Sequence, residues 1–181
     1  RNNPHYDFIF YNDKDVADLL AADSEISRAY HRIHPAYGAC RADLFRYYIL
    51  YNRGGVYLDI KAEATSKLDK TIQGRELVIL EDWHRSKTAP PKSKLARTFA
   101  QWFMAFPRAH PLLELTLKQV LNNLSAPTFV GKVGKEIAEQ ISGPQCYFDA
   151  IHLRLSDFPH YVIKKRAPWS VYVWQAPLFV R

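Results

Sequence analysis

The chain has 181 residues, of which 48% are hydrophobic, 14% are aromatic and 24% are charged. This composition predicts one globular domain over 1–181 and excludes a disordered chain, and no apolar run reaches the roughly 18–20 residues of a membrane span. The formal net charge of +7 favours an anionic partner. The basic residues are scattered and show no nucleic-acid recognition pattern, so we expect no nucleic-acid partner.

The first part of the chain predicts one strand and then three helices. The aromatic and β-branched stretch 5–12 predicts a buried strand, and Asp13 follows it as the capping residue of a helix. Residues 24–33 predict a second short helix. Apolar side chains recur at helical spacing over 36–55, where a pair of glycines is typical of a helix end.

Beyond the glycines, short apolar runs alternate with amphipathic ones, which favours an α/β fold with helices packed on a sheet. No long linker or repeat divides the chain. The predicted strands are 56–60, 76–82 and 160–166, the predicted helices are 110–124, 133–143 and 144–155, a polar loop covers 85–95, and 98–106 fits either a strand or a helix.

The stretch GGVYLDIKAEA, residues 54–64, combines an apolar and a polar face if it is extended. The predicted core face carries Val56, Leu58, Ile60, Ala62 and Ala64, and the opposite face carries Tyr57, Asp59, Lys61 and Glu63. The double glycine does not indicate a phosphate-binding loop, because such a loop follows a strand and opens a helix, whereas these glycines follow a helix.

Acidic residues follow two of the predicted strands. Asp59 comes after one of them, and Glu81 and Asp82 come after the next. In an open α/β sheet these acids are expected at one edge, where carboxylates commonly hold Mg²⁺ or Mn²⁺. The alternative is that the strands simply pass into polar loops.

Asp43 and Arg46 lie three residues apart on one side of the predicted helix 36–55. The glycine turn folds this helix back toward Asp59. Arg46 is then a suitable donor to hydroxyl or phosphate groups, and Asp43 a suitable acceptor for sugar hydroxyls. The alternative is a local ion pair on the helix surface.

The segment RADLFRYYILYNRGGVYLDIKAEA resembles the core motif of the family 32 glycosyltransferases, which include mannosyl- and galactosyltransferases with a DXD motif. The glucosylating toxins of clostridia share a related signature. The matching residues are Ala42, Asp43, Arg46, Gly54, Gly55, Tyr57, Leu58 and Asp59. Two further segments resemble blocks of the family. One contains a helix that starts with His-Pro, and the other is ISGPQCYFDAI, which has Ser142 where the family has Thr. The resemblance thus covers roughly 1–155.

The resemblance implies a GT-A type α/β fold with an open mixed sheet. It implies a retaining transferase that moves a hexose from a UDP- or GDP-linked donor to a glycan or another hydroxyl acceptor. In such a site Asp43, Arg46 and Tyr57 would bind the donor sugar, and Asp59 would be the catalytic residue that meets a divalent metal, Mn²⁺ or Mg²⁺, or the phosphates. Glu81 and Asp82 are further pocket candidates.

This sequence departs from the family pattern in two ways. The family's first strand is expected upstream of Arg1, and the second Asp of DXD is Lys61 here. Three interpretations stay open: Asp59 and Glu63 hold the metal, which we favour; Lys61 binds the phosphates and replaces part of the metal charge; or the site is an inactive sugar-nucleotide or glycan-binding module. We expect a cytoplasmic location in a bacterium or virus, and a Golgi lumen location in a eukaryote with an upstream anchor.

Overall fold

The computed structural model describes residues 3–60, 62, 67–72, 78–84, 96–127, 129, 134–158, 161–164 and 178–180, with the backbone alone at 71, 78–84, 96–98, 161–164 and 178–180. The strands are β1 (Phe8–Ile9), β2 (Gly55–Leu58), β3 (Val78–His84), β4 (Ala96–Phe106), β5 (Tyr161–Lys164) and β6 (Leu178–Val180). The helices are α1 (Asp13–Leu20), α2 (Ser24–Arg32), α3 (Gly38–Arg53), α4 (Leu68–Ile72), α5 (Pro111–Ser125), α6 (Lys135–Ile141) and α7 (Pro144–Ile151), and a short 3₁₀ helix spans Leu155–Asp157.

The strands form one mixed sheet in the order β1-β6-β2-β4-β3-β5. All neighbours are antiparallel except β3 and β5, which are parallel. The predicted α/β class with an open mixed sheet is therefore confirmed. No helix in the described part of the chain is long and apolar enough to cross a membrane.

The predicted elements are present with shifted ends, but the prediction that the first strand is buried is wrong, because Phe8 and Phe10 are exposed. The first strand covers only Phe8–Ile9, and Asn12, not Asp13, caps α1: its side chain accepts hydrogen bonds from the backbone N–H groups of Lys14 and Asp15. The ambiguous segment 98–106 belongs to strand β4. The predicted loop 85–95 lies outside the described residues.

Two apolar clusters lie on the two faces of the sheet. The larger one packs the helices against β4, and the smaller one includes Val56, Leu58 and Ala62. The core face predicted for these three residues is therefore confirmed. Ile60, predicted on the same face, is 41% exposed, because strand pairing ends at Leu58 and the chain then turns, with the N–H of Ala62 donating to the carbonyl of Asp59.

The middle of helix α3 is buried on all sides. Every residue from Asp43 to Leu50 is buried, because α5 and α6 pack on the helix from one side and β2 and β4 from the other. The alternative, a local ion pair between Asp43 and Arg46, is formed, but both residues are buried and the pair does not lie on an exposed surface of the helix.

Candidate donor-binding site

The turn between α3 and β2 brings the motif residues together. Gly54 ends α3 with φ of 67°, and Gly55 follows with φ of 102°, both in the left-handed region that favours glycine. From Arg53 back to Asp43 the helix rises about 15 Å. From Gly55 to Asp59 the strand runs about 13 Å, so Asp59 returns to the level of the polar residues of α3.

Arg46 joins the two carboxylates. Its Nη2 lies 3.0 Å from Oδ1 of Asp59 and 3.4 Å from Oδ1 of Asp43. The side chains of Arg46 and Asp43 are 7% and 8% exposed, whereas that of Asp59 is 34% exposed. Asp59 is therefore the member of this cluster that a ligand can reach most easily.

Tyr57 supports the same oxygen of Asp59. Its hydroxyl donates to Oδ1 of Asp59 at 2.9 Å, and the guanidinium of Arg46 lies over its ring, 4.9 Å from the centroid. Both donors act on Oδ1. No described residue donates a hydrogen bond to Oδ2 of Asp59.

Burial sets the protonation of the cluster. It raises the pKa of Asp43 to about 6, against the opposing effects of Arg46 and the Ser142 hydroxyl. Burial alone would lower the pKa of Arg46, but Tyr57, Asp43 and Asp59 outweigh it and raise that pKa, so the guanidinium stays charged. Burial also raises the pKa of Tyr57, which keeps its proton and its role as a donor.

A second layer of buried polar groups supports Asp43. The Ser142 hydroxyl donates to Oδ2 of Asp43 at 2.9 Å, and the Ser142 carbonyl accepts hydrogen bonds from Tyr47 and Gln101. Sequence reasoning gave Tyr47 and Gln101 no role in the site. Gln101 carried a signal, because it is an amide within an otherwise apolar strand, and such a residue is buried only with partners.

The other predicted site residues are Lys61, Glu63, Glu81 and Asp82. Lys61 and Glu63 lie outside the described residues. Glu81 and Asp82 lie within β3 and not after it, since the strand continues to His84, so the prediction that they follow a strand end is wrong.

The sheet register separates β3's acids from Asp59. Glu81 is paired with Phe99 on β4, whereas the N–H of Asp59 donates to the carbonyl of Trp102. Strand β4 lies between them, and three residues along it correspond to about 10 Å. Strands β2 and β3 do run in the same direction, but the acids of the two strands do not lie together at one edge of the sheet.

The described residues offer little to a metal ion. No group of three or more His, Cys, Asp or Glu side chains comes together among them. Within the cluster, Oδ2 of Asp59 is the carboxylate oxygen to which no described residue donates, and Lys61 stands where the DXD pattern has its second acid. This oxygen alone is fewer ligands than a divalent cation needs.

The chain is similar to known proteins in sequence and in fold. Residues 1–78 match the family described as glycosyltransferase sugar-binding region containing DXD motif. An initiation-specific alpha-1,6-mannosyltransferase of Candida albicans is 31% identical over 134 residues, with 65% of this chain and 34% of the relative covered. Inositol phosphoceramide mannosyltransferase 3 of Schizosaccharomyces pombe is 30% identical, with 67% and 29% covered.

The fold comparison points the same way. The solved PaToxG glycosyltransferase has a TM-score of 0.51 and 16% identity to this chain, and the similarity covers 80% of this chain and 45% of that one. The chain spans about a third of the length of the curated relatives it matches. The predicted GT-A type fold is confirmed, and the chain is similar to glycosyltransferases whose sugar-binding region carries a DXD motif.

Proposed function

We propose that this chain is the catalytic part of a retaining glycosyltransferase that moves a hexose from a UDP- or GDP-linked donor to a hydroxyl acceptor, such as that of a glycan. The observation that carries the proposal is the cluster of Asp43, Arg46, Tyr57 and Asp59, in which Arg46 and Tyr57 hold Oδ1 of Asp59 and no described residue donates to Oδ2. Both curated relatives are named as mannosyltransferases, which makes a mannosyl donor the first to test.

The difficult part of this reaction is the negative charge that develops on the departing diphosphate. Groups that are already oriented toward this charge lower the barrier, because they need not reorganise during the reaction. Arg46 is charged and fixed by two carboxylates and the Tyr57 ring, so it brings an oriented positive charge to the site. Its Nη1 has no partner among the described residues and is the atom we assign to the donor.

Asp59 would act through Oδ2. Its Oδ1 is held by Tyr57 and Arg46, which fixes the orientation of the whole carboxylate. Together with Glu63, Asp59 would hold a divalent cation, and a bound cation would neutralise charge on the diphosphate. The ammonium of Lys61 can supply part of the same positive charge.

A panel of nucleotide sugars tests the proposal. The full-length protein is incubated with GDP-mannose, UDP-glucose and UDP-galactose, with and without Mn²⁺, and release of the nucleoside diphosphate is measured. Asp59→Asn is the inactive control, and Asp18→Asn, an exposed acid on α1, is the matched active one. Nuclear magnetic resonance of the product reports retention at the anomeric carbon.

The replacement of the second DXD acid by Lys61 favours one alternative, a sugar-nucleotide or glycan-binding module without catalysis. Calorimetric titration with the same donors distinguishes the two. Binding of a donor without turnover at any Mn²⁺ concentration would support the binding module, and absence of both binding and turnover would contradict either function.

A further inference from the structure

Ser142 occupies the junction between α6 and α7 and is fully buried. Three contacts fix its backbone. Its carbonyl accepts a hydrogen bond of 2.8 Å from the Tyr47 hydroxyl and one of 3.1 Å from Nε2 of Gln101, and its N–H donates to the carbonyl of Ala138. Nε2 of Gln101 also donates to the Tyr47 hydroxyl. The position of Ser142 is thus set by α3, β4 and α6 together.

The next residue makes this position possible. A Cβ atom on Gly143 would lie 2.6 Å from Cα of Glu139 and 3.1 Å from its carbonyl oxygen, both backbone atoms of α6. Only glycine lets α7 begin this close to the last turn of α6. Gly143 therefore keeps Ser142 against α3.

From this position Ser142 reaches the donor-binding site through a series of direct contacts. Its hydroxyl donates to Oδ2 of Asp43 at 2.9 Å, Oδ1 of Asp43 faces Arg46, and Arg46 contacts Oδ1 of Asp59. Each carboxylate oxygen of Asp43 thus has a protein partner. The side chain of Asp43 is also only 8% exposed, so it contacts protein groups and little solvent.

We infer that Ser142 is a positioning residue of the proposed transferase site, which acts through Asp43 and Arg46 on the orientation of Asp59. The inference rests on the proposed function and adds to it a residue outside the motif. Without the hydroxyl, Asp43 loses the donor that fixes one of its oxygens and can rotate about its side-chain bonds. Arg46 then loses a fixed partner, and the position of its charge relative to Asp59 becomes less defined.

The expected kinetic effect is on turnover and not on donor affinity. Arg46 and Asp59 act on charge that develops as the diphosphate departs, and preorganisation of such groups counts most in the transition state. For Ser142→Ala we expect kcat to fall about tenfold, with the donor KM changed by less than about twofold. Ser142→Thr keeps the hydroxyl and should restore kcat.

The experiment compares three variants of the full-length protein with GDP-mannose, or with whichever nucleotide sugar the panel shows to be used. Thr116→Val is the matched control: it also removes a fully buried hydroxyl, but that hydroxyl donates to the carbonyl of Leu112 within α5. A purely structural role predicts that Ser142→Ala and Thr116→Val lower the melting temperature similarly and leave kcat of the folded protein unchanged. That result would overturn the inference while the transferase activity stands.

A double-variant cycle tests the proposed route. If Ser142 acts through Asp43, then adding Ser142→Ala to Asp43→Asn should lower kcat no further than Asp43→Asn alone. Multiplied effects in the double variant would contradict a common route. A wild-type protein that uses no donor would overturn the proposed function itself. In that case the free energies of unfolding of the same variants, measured with urea, still show whether Ser142 and Asp43 are coupled in the fold.

Discussion

Arg46 on α3 and Asp59 after β2 form an ion pair of 3.0 Å that links the two segments of the motif across the glycine turn. The two ends of this pair differ in exposure: the Arg46 side chain is 7% exposed and that of Asp59 is 34% exposed. The pair therefore connects the buried interior to the surface of the site, and substitutions at its two ends should have different effects.

Asp59→Asn should abolish sugar transfer and leave the fold intact. The residue is partly exposed and lies where strand pairing ends, so its charge contributes little to the core. Release of nucleoside diphosphate measures activity, and thermal unfolding with circular dichroism checks the fold. Near-normal turnover by a folded Asp59→Asn protein would remove the central role assigned to this carboxylate.

Arg46→Ala should destabilise the protein by about 3–5 kcal/mol, because it leaves the buried Asp43 carboxylate without its cation. Urea unfolding measures this loss. Arg154→Ala is the control: its partner Asp157 and Arg154 itself are exposed, so the loss should be below about 1 kcal/mol. Equal losses in the two variants would mean that the Asp43–Arg46 pair contributes no more than a surface ion pair.

The free energy of unfolding should fall as the pH rises from about 4 to about 6. Burial raises the pKa of Asp43 from 3.8 to about 6, so in this range the folded state holds a proton that the unfolded state has already lost. This shift corresponds to roughly 2–3 kcal/mol, present below pH 4 and lost above pH 6. Urea unfolding across this range measures the slope, which should be smaller in Asp43→Asn; an identical slope in that variant would refute the assignment to Asp43.

Gly54→Ala should destabilise the fold. At φ of 67° an added Cβ would lie 2.6 Å from the backbone N of Arg108, so backbone strain and a close contact add up. We expect a loss of about 1–3 kcal/mol in the free energy of unfolding. Ala109→Gly is the converse test, because Ala109 has φ of 55° and should gain up to about 1 kcal/mol from a residue that favours this region. A gain in stability from Gly54→Ala together with a loss from Ala109→Gly would contradict the role assigned to the left-handed backbone at these two positions.

Substitutions of Lys61 distinguish the two possible sources of positive charge at the diphosphate, a bound metal and the Lys61 ammonium. If a metal is used, Lys61→Asp should keep activity and increase the dependence on Mn²⁺, because the variant regains the second acid of the DXD pattern. If Lys61 supplies the charge, Lys61→Ala should lower the rate and a chelator should leave the wild type unaffected. We expect the first result, and full wild-type activity after exhaustive chelation would contradict it.

Much of the site could be predicted from local sequence pattern. The spacing of Asp43 and Arg46 is fixed by helical periodicity, and the double glycine identifies the turn that brings Asp59 back to them. The alternation of Tyr57 with Val56 and Leu58 gave the correct faces of β2. These features depend on interactions between residues close in sequence.

The features that sequence did not predict depend on distant partners. Burial of Asp43 and Arg46 follows from the packing of α5 and α6 on α3, which no local pattern contains. Strand β6 lies between β1 and β2 in the sheet and pairs with both. It comes near the end of the sequence, whereas β1 comes near its start and β2 is also far from β6 along the chain. The contact of Ser142 with Asp43 joins residues 99 positions apart.

The burial of α3 from Asp43 to Leu50 has a consequence for changes of chain length. One residue added or removed between Arg46 and Arg53 would rotate the preceding part of the helix by about 100° relative to β2. Asp43 and Arg46 would then be turned away from Asp59. Substitutions along this segment can be accommodated one at a time, whereas an insertion or deletion would misalign both motif residues together, so the spacing between Asp43 and Asp59 is itself a requirement of the site.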